Sequence, residues 1–191
     1  MENQSKKWNQ RYSDDNGAGE PARVLLDYSH LLPAEGIALD LACGLGANAL
    51  LLAQQGLETF AWDTSQVALS KLQANATRQR LKVQTQQRDC EQLPPEPGSL
   101  DVLVVSNFLY RPILKALVES LRPGGLLYYE THSLERPEHL TGPSNPDYLL
   151  RPGELLDVFR QLHIHACREE GLAGDLQKGF RGKAYIVARK A

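Results

Sequence analysis

The sequence predicts an α/β protein, a three-layer sandwich on a mainly parallel seven-stranded sheet with a C-terminal strand running antiparallel. Three observations lead there. Apolar strand-like runs alternate with helical periodicity in five steps, and a glycine turn at Gly44 to Gly46 follows the first run. The last two strand-like segments are joined without a helix, which calls for antiparallel pairing.

Residues 1–22 read as a polar N-terminal arm. Asp14 to Gly19 has a flexible composition, whereas Trp8 to Tyr12 brings two aromatics and an arginine, suited either to docking on the body or to covering a bound ligand. Arg23 to Leu32 has helical spacing through Val24, Leu25, Tyr28, Leu31 and Leu32, ended by Pro33 and Gly36. Ile37 to Leu39 reads as a buried strand closed by Asp40. At Gly44 and Gly46 the backbone must turn sharply, which glycine allows because it tolerates positive φ and has no Cβ to hold a ligand away. A short helix, Asn48 to Gln55, is stopped by Gly56, and Glu58 to Trp62 is a second strand closed by Asp63. Thr64 or Ser65 caps the next helix, with Ala68, Leu69, Leu72 and Ala76 on one face.

Leu81 to Gln86 is a third strand, followed by Arg88-Asp89-Cys90 and a proline-rich bend from Pro94 to Gly98. Leu100 to Ser106 is the most apolar β segment and reads as buried on both faces. Pro112 opens a helix carrying Ile113, Leu114, Leu117, Val118 and Leu121 inward, and Pro123-Gly124-Gly125 turns into a fifth strand, Leu126 to Thr131. Residues 133–151 lack a period and are rich in breakers, as expected of a lid or binding loop. Pro152 to Leu162 returns to helix, and His163 to Glu169 and Ala184 to Arg189 are the closing strand pair.

A chain of 191 residues can build one substantial core, so residues 1–191 are expected to form a single domain. With 21 Lys plus Arg against 23 Asp plus Glu, no broad attraction to a nucleic-acid backbone is expected. No apolar run approaches a membrane span, and the first residues lack the apolar core of a signal peptide, so a cytoplasmic protein is expected. Cys43, Cys90 and Cys167 show no metal-ligand spacing, and His163 and His165, alternating on an expected edge strand, read as solvated side chains. No metal is expected.

The run Gly44-x-Gly46-x-x-Ala49 fits the dinucleotide fingerprint and points to a nucleoside-bearing cofactor on a Rossmann-like sheet. Asp63, about twenty residues beyond the glycines, stands where a second-strand acid accepts from ribose hydroxyls. A nicotinamide-dependent oxidoreductase uses the same loop, but this length leaves little room for a separate substrate domain.

Motif order separates these options. Leu39-Asp40-Leu41-Ala42-Cys43-Gly44-Leu45-Gly46, the acid Asp63, the pair Asp89-Cys90, the strand Asp101 to Asn107 and the turn Leu121-Arg122-Pro123-Gly124-Gly125 together resemble the class I S-adenosylmethionine-dependent methyltransferases. Ala42 stands where many members carry glycine. More narrowly, Trp8 to Tyr12, Gly46 to Leu50 and Leu149 to Glu154 resemble small bacterial methyltransferases of the tellurite-resistance type, relatives of the thiopurine methyltransferases. Ala47 departs from the arginine often found there.

The resemblance implies S-adenosylmethionine as cofactor. It puts Ala42 and Gly44 against the methionine portion, with Asp40 holding the loop or the ammonium, and counts Cys43 and Asn48 among the cofactor-binding residues. Asp63, beside Thr64, would take the ribose hydroxyls, Asp89 and the Cys90 backbone the adenine, and Asn107 the amino-acid end or the reactive methyl. The implied reaction is direct displacement onto a small-molecule acceptor, possible classes being thiols and selenium or tellurium compounds. Tyr110, Arg111 and His132 are candidate acceptor-side groups, with Glu130 and Tyr12 beside them, although Arg111 can equally face solvent and His132 serve structure. A noncatalytic cofactor-binding protein remains the alternative.

Overall fold

The computed structural model describes residues 2–14, 17 and 19–191; of residues 2–4 it gives the backbone alone. Among these, α1 (Glu2–Ser13) precedes α2 (Arg23–Asp27), β1 (Ile37–Leu41), α3 (Ala47–Gln54), β2 (Glu58–Asp63), α4 (Gln66–Gln79) and β3 (Val83–Gln87). Then come β4 (Leu100–Ser106), α5 (Leu114–Ser120), β5 (Leu121–His132), α6 (Glu154–Phe159), β6 (His163–Glu169) and β7 (Lys183–Arg189). The sheet order is β3-β2-β1-β4-β5-β7-β6. Strand β7 runs antiparallel to both β5 and β6, while the other pairs are parallel. The expected three-layer sandwich with one antiparallel C-terminal strand is thus what the chain forms.

Alternation along the central strand explains the layers. Val102 and Val104 join Val24, Leu25 and Leu52 on one face, whereas Leu103 and Val105 join Leu114, Leu117, Leu155 and Phe159 on the other. A third cluster packs Leu69, Leu72 and Ala76 of α4 with Ala61 and Val83. The parallel strands bring their C-terminal ends to one rim.

Several boundaries differ from the periodicity. The arm is helical from Glu2 to Ser13, and the expected loose stretch from 14 to 19 lies outside the described residues at Asp15, Asn16 and Ala18. The expected helix from Arg23 to Leu32 stops at Asp27 and resumes as a 3-10 turn, because Tyr28 leaves helical geometry (φ −120°, ψ 21°) and its carbonyl accepts from the buried Tyr128 hydroxyl. Leu81 is not in β3: its amide closes α4 on Ala76 after Arg80 turns left-handed. Pro112 sits in a 3-10 turn, Arg111–Ile113, that precedes α5. Leu121 is not a helical residue but the first of β5, paired with Leu100, and the register slips beyond it so that Arg122 to Gly125 loop out. Asp101 holds that detour by accepting from Arg122 at 2.7 Å and from the Ile37 amide at 2.7 Å.

Candidate active site

Where β1 ends, the backbone makes the turn its glycines foretold: Ala42, Gly44 and Gly46 have φ of 54°, 52° and 79°. The position where an alanine replaces the commoner glycine is therefore left-handed, a conformation that costs an L-residue roughly 1–2 kcal/mol and is retained mainly at functional sites. Asn107, at the end of neighbouring β4, is left-handed as well, at 54°. Its amide donates to the Glu130 carbonyl at 2.8 Å.

Asp63 closes β2 with 7 % of its surface exposed. One carboxylate oxygen accepts from the Gly44 amide at 2.8 Å and the other from the Ser65 amide at 2.8 Å. Burial raises its pKa, while the amides oppose that rise. Each oxygen has lone pairs beyond one amide, so the residue can still accept from a ligand. Thr64, partly buried, has its carbonyl held by the Gln87 side chain at 3.0 Å.

Asp40 is fully buried and serves the helix that follows it. Its oxygens accept from the Ala49 amide at 3.1 Å and the Asn48 side chain at 3.3 Å. Burial lifts its pKa to about 7. Asn48 also donates to Ser106 Oγ at 3.0 Å and accepts from the Ala22 amide at 2.8 Å. Its side chain thus knits β1, β4 and the arm together. The Cys43 amide donates to the Trp62 carbonyl, and its buried thiol has a raised pKa.

Across β3, Asp89 Oδ1 accepts from the Glu91 amide at 3.1 Å, and the Asp89 carbonyl receives the Gln92 and Leu93 amides. Cys90 is buried and burial pushes its thiol up to about 12, so the sulfur is chemically quiet. The Arg88 guanidinium lies 4.0 Å from the Trp62 ring centroid and donates to the Leu93 and Pro94 carbonyls, fastening this loop to β2.

Helix α1 closes the rim from above. Asn9 Oδ1 accepts from Ser65 Oγ at 2.7 Å and from the Val67 amide at 3.3 Å, and Lys71 Nζ donates to the Tyr12 and Ser13 carbonyls. Trp8 and Tyr12 stack at 5.7 Å. A Cβ built on Gly44 would lie 2.7 Å from the Tyr12 hydroxyl, so the turn is approached closely by the arm. The Asp40–Gly46 turn, Asp63–Thr64, Asp89–Cys90 and Asn107 therefore share one rim. These positive-φ positions and carboxylates fit a small ligand with hydroxyl and amino donors.

The other three candidates diverge. Arg111 donates to Glu154 at 2.6 and 2.9 Å and to the Asp147 and Leu149 carbonyls at 2.7 and 2.9 Å, clamping the 147–154 segment. Burial works to raise the Glu154 pKa, but hydrogen bonds from Arg111 and the Arg151 amide carry it below the usual carboxylate range. Tyr110, partly buried, precedes that clamp. His132 ends β5; burial, with Lys183, Arg136 and Arg11 nearby, brings its pKa down to about 4, so its imidazole is neutral near pH 7. Among the described residues no group of three or more His, Cys, Asp or Glu is placed to hold a metal ion. None of the helices there is long and apolar enough to cross a membrane.

Sequence reasoning missed part of the rim. A cavity of about 520 Å³ opens beside Asn107, walled by Ala22, Leu140, Phe180 and Lys183 among others. The Glu170–Lys183 connection that supplies much of it has no period to read. The available signal was β pairing: Glu130 and Lys183 sit on adjacent antiparallel strands, and their side chains meet at 3.3 Å.

Residues 38–125 match the family model described as a methyltransferase domain. The chain is 30 % identical over 111 residues to YqeM of Bacillus subtilis (strain 168), named as a candidate methyltransferase; the match covers 53 % of this chain and 44 % of that one. The chain thus spans under half the length of that curated relative. Its fold is similar to TehB from Haemophilus influenzae (TM-score 0.73, 22 % identity, covering 96 % of this chain and 67 % of that one). It is also similar to a SAM-dependent methyltransferase from Methanosarcina mazei (TM-score 0.66, 19 % identity, covering 90 % and 99 %). Glycine turn, second-strand acid and matched segment coincide at one rim: residues 38–125 resemble a methyltransferase domain, and the chain has the fold of the class I S-adenosylmethionine-dependent methyltransferases.

Proposed function

We propose that this chain is a methyltransferase that transfers a methyl group by direct displacement to a small-molecule acceptor, with thiols and selenium or tellurium compounds as the classes to test. The observation that carries this reading is the junction of Gly44 and Asp63, with Asp89, Cys90 and Asn107 on the same rim. In this reading residues 1–191 form one domain. The arm of residues 1–22 is its cover, and residues 133–151 are its lid.

S-adenosylmethionine, the cofactor in this reading, would supply a methyl group already activated on a sulfonium. Asp63, next to Thr64, would hold the ribose hydroxyls with the lone pairs its two amides leave over. Asp89 and the Cys90 backbone would hold the adenine, and Ala42 and Gly44 would meet the methionine portion beside Cys43. Asp40 and Asn48 fix the turn. Asn107 would lie near the amino-acid end or the reactive methyl.

With an activated donor, the protein's task is alignment, which contributes on the order of 7–11 kcal/mol. Tyr12 and α1 exclude water from above, which favours attack by an anionic acceptor. Such an acceptor needs no strong base. His132, neutral near pH 7, is the candidate proton acceptor for others, Tyr110 lies beside the acceptor path, and Arg111 acts through the segment it clamps.

Calorimetry with S-adenosylmethionine, S-adenosylhomocysteine and NAD tests the cofactor, and tighter binding of NAD overturns the reading. Labelled methyl transfer to thiols, selenite, tellurite and phenols then separates an enzyme from a noncatalytic binder.

A further inference from the structure

The cavity beside Asn107 is much larger than an inorganic acceptor requires. Its volume of about 520 Å³ falls in the ~300–1,000 Å³ range of pockets that take drug-sized ligands, whereas a water molecule occupies about 30 Å³. A selenite or tellurite ion would leave most of it filled with water.

Its walls are of two kinds. Phe180, Leu140 and Leu176 supply apolar surface, and the Phe180 ring is set edge-on against Tyr185 at 5.1 Å. Glu130 also lines the cavity, 2 % exposed; its Oε2 accepts from the Val24 amide at 2.9 Å and its Oε1 meets Lys183 Nζ at 3.3 Å. An ammonium has three donors, and this contact uses one. Of the lining arginines, Arg181 is committed to the carbonyls of Lys178, Glu170, Gly171 and Asp175, and Arg23 pairs through Nε with Asp27 with its side chain 60 % exposed. Among the described lining residues Lys183, its side chain 28 % exposed, is therefore the more enclosed cation for an anion in the cavity to meet. Glu20, the other carboxylate of the lining beside Glu130, is exposed.

We propose that this cavity receives an organic anion as the methyl acceptor, with its apolar body against Phe180, Leu140 and Leu176 and its carboxylate or phosphate on Lys183, in place of an inorganic chalcogen oxyanion. The proposal rests on the methyltransferase reading above.

The test titrates protein saturated with S-adenosylhomocysteine with 2-naphthoate, 2-naphthyl phosphate, neutral 2-naphthalenemethanol and selenite. At least one naphthyl anion is expected to bind about tenfold more tightly than the alcohol, and selenite is expected not to displace it. Phe180→Ala should weaken all three naphthyl compounds about tenfold, and Lys183→Met should remove the advantage of the anions. Since Lys183→Met strips a buried carboxylate of its partner, Glu130→Gln/Lys183→Met is measured beside it, with the pair neutral. Equal affinity for anions and alcohol in the wild-type protein overturns the proposal, as does selenite binding that the naphthyl anions leave untouched. Failure of the wild-type protein to bind S-adenosylhomocysteine sinks the methyltransferase reading instead.

Discussion

The amide of Gly44 donates to Asp63 Oδ2 at 2.8 Å, joining the turn after β1 to the acid that ends β2. The carboxylate therefore has two tasks, shaping the turn and offering acceptor sites beyond it. Perturbing either residue disturbs the other.

Asp63→Ala frees the Gly44 and Ser65 amides together. Affinity for S-adenosylhomocysteine should fall by about 1–3 kcal/mol, with a loss of stability in the same range. Calorimetry and denaturant melts read the two effects separately. A folded variant with wild-type affinity would remove Asp63 from the site.

Gly44→Ala places a methyl group in left-handed backbone and against the Tyr12 hydroxyl. A stability loss of about 1–2 kcal/mol is expected from the backbone alone. Tyr12→Phe in the same chain should recover only the steric part. Full recovery in the double variant would show that the backbone bears no strain.

Asp40 and His132 predict opposite pH effects. The folded Asp40 pKa is about 7 against an ordinary 3.8, so its contribution to stability is complete below about pH 4 and lost as pH rises through 7. For His132 the folded value is about 4 against 6.5, so its contribution is present above 6.5 and lost as pH falls through 4. Denaturant titrations between pH 4 and 8 should therefore show Asp40→Asn abolishing a stability loss on the rising side. His132→Gln should abolish one on the falling side. Unchanged slopes in both variants would contradict these assignments.

Arg111→Ala should cost about 1–3 kcal/mol by leaving Glu154 and two carbonyls without their donors. Amide exchange at Leu149 to Glu154 should accelerate while S-adenosylhomocysteine affinity holds. Lysine should restore little, because it cannot reproduce the two-pronged contact. Lost cofactor affinity would place the guanidinium at the cofactor instead.

The sheet was legible because its signals are local and periodic: the apolar run of β4, the glycines after β1 and the helix-free β6–β7 link can be read from neighbours in sequence. The rim was legible where strand ends carry unusual residues, as at Asp63 and Asn107. What escaped were uses decided by distant partners. Nothing near Arg111 announces that Glu154 and the Asp147 carbonyl will take its donors, and nothing near Asn48 announces the Ala22 amide. Helix α1 was obscured by its polar composition, since it is held by Asn9 and Lys71 as well as by its aromatic stack. Leu121 kept helical spacing but was taken by β5 through its pairing with Leu100.

Asn9, Tyr12 and Ser13 all hold the start or body of α4, so lifting α1 from the rim requires several polar contacts to break; if the product nucleoside leaves by that route, they oppose its departure. In the enzyme proposed here, the dwell time of the spent donor would then set the turnover number. Lys71→Met, which removes the contacts to Tyr12 and Ser13 and leaves those of Asn9, should quicken that departure in stopped-flow measurements.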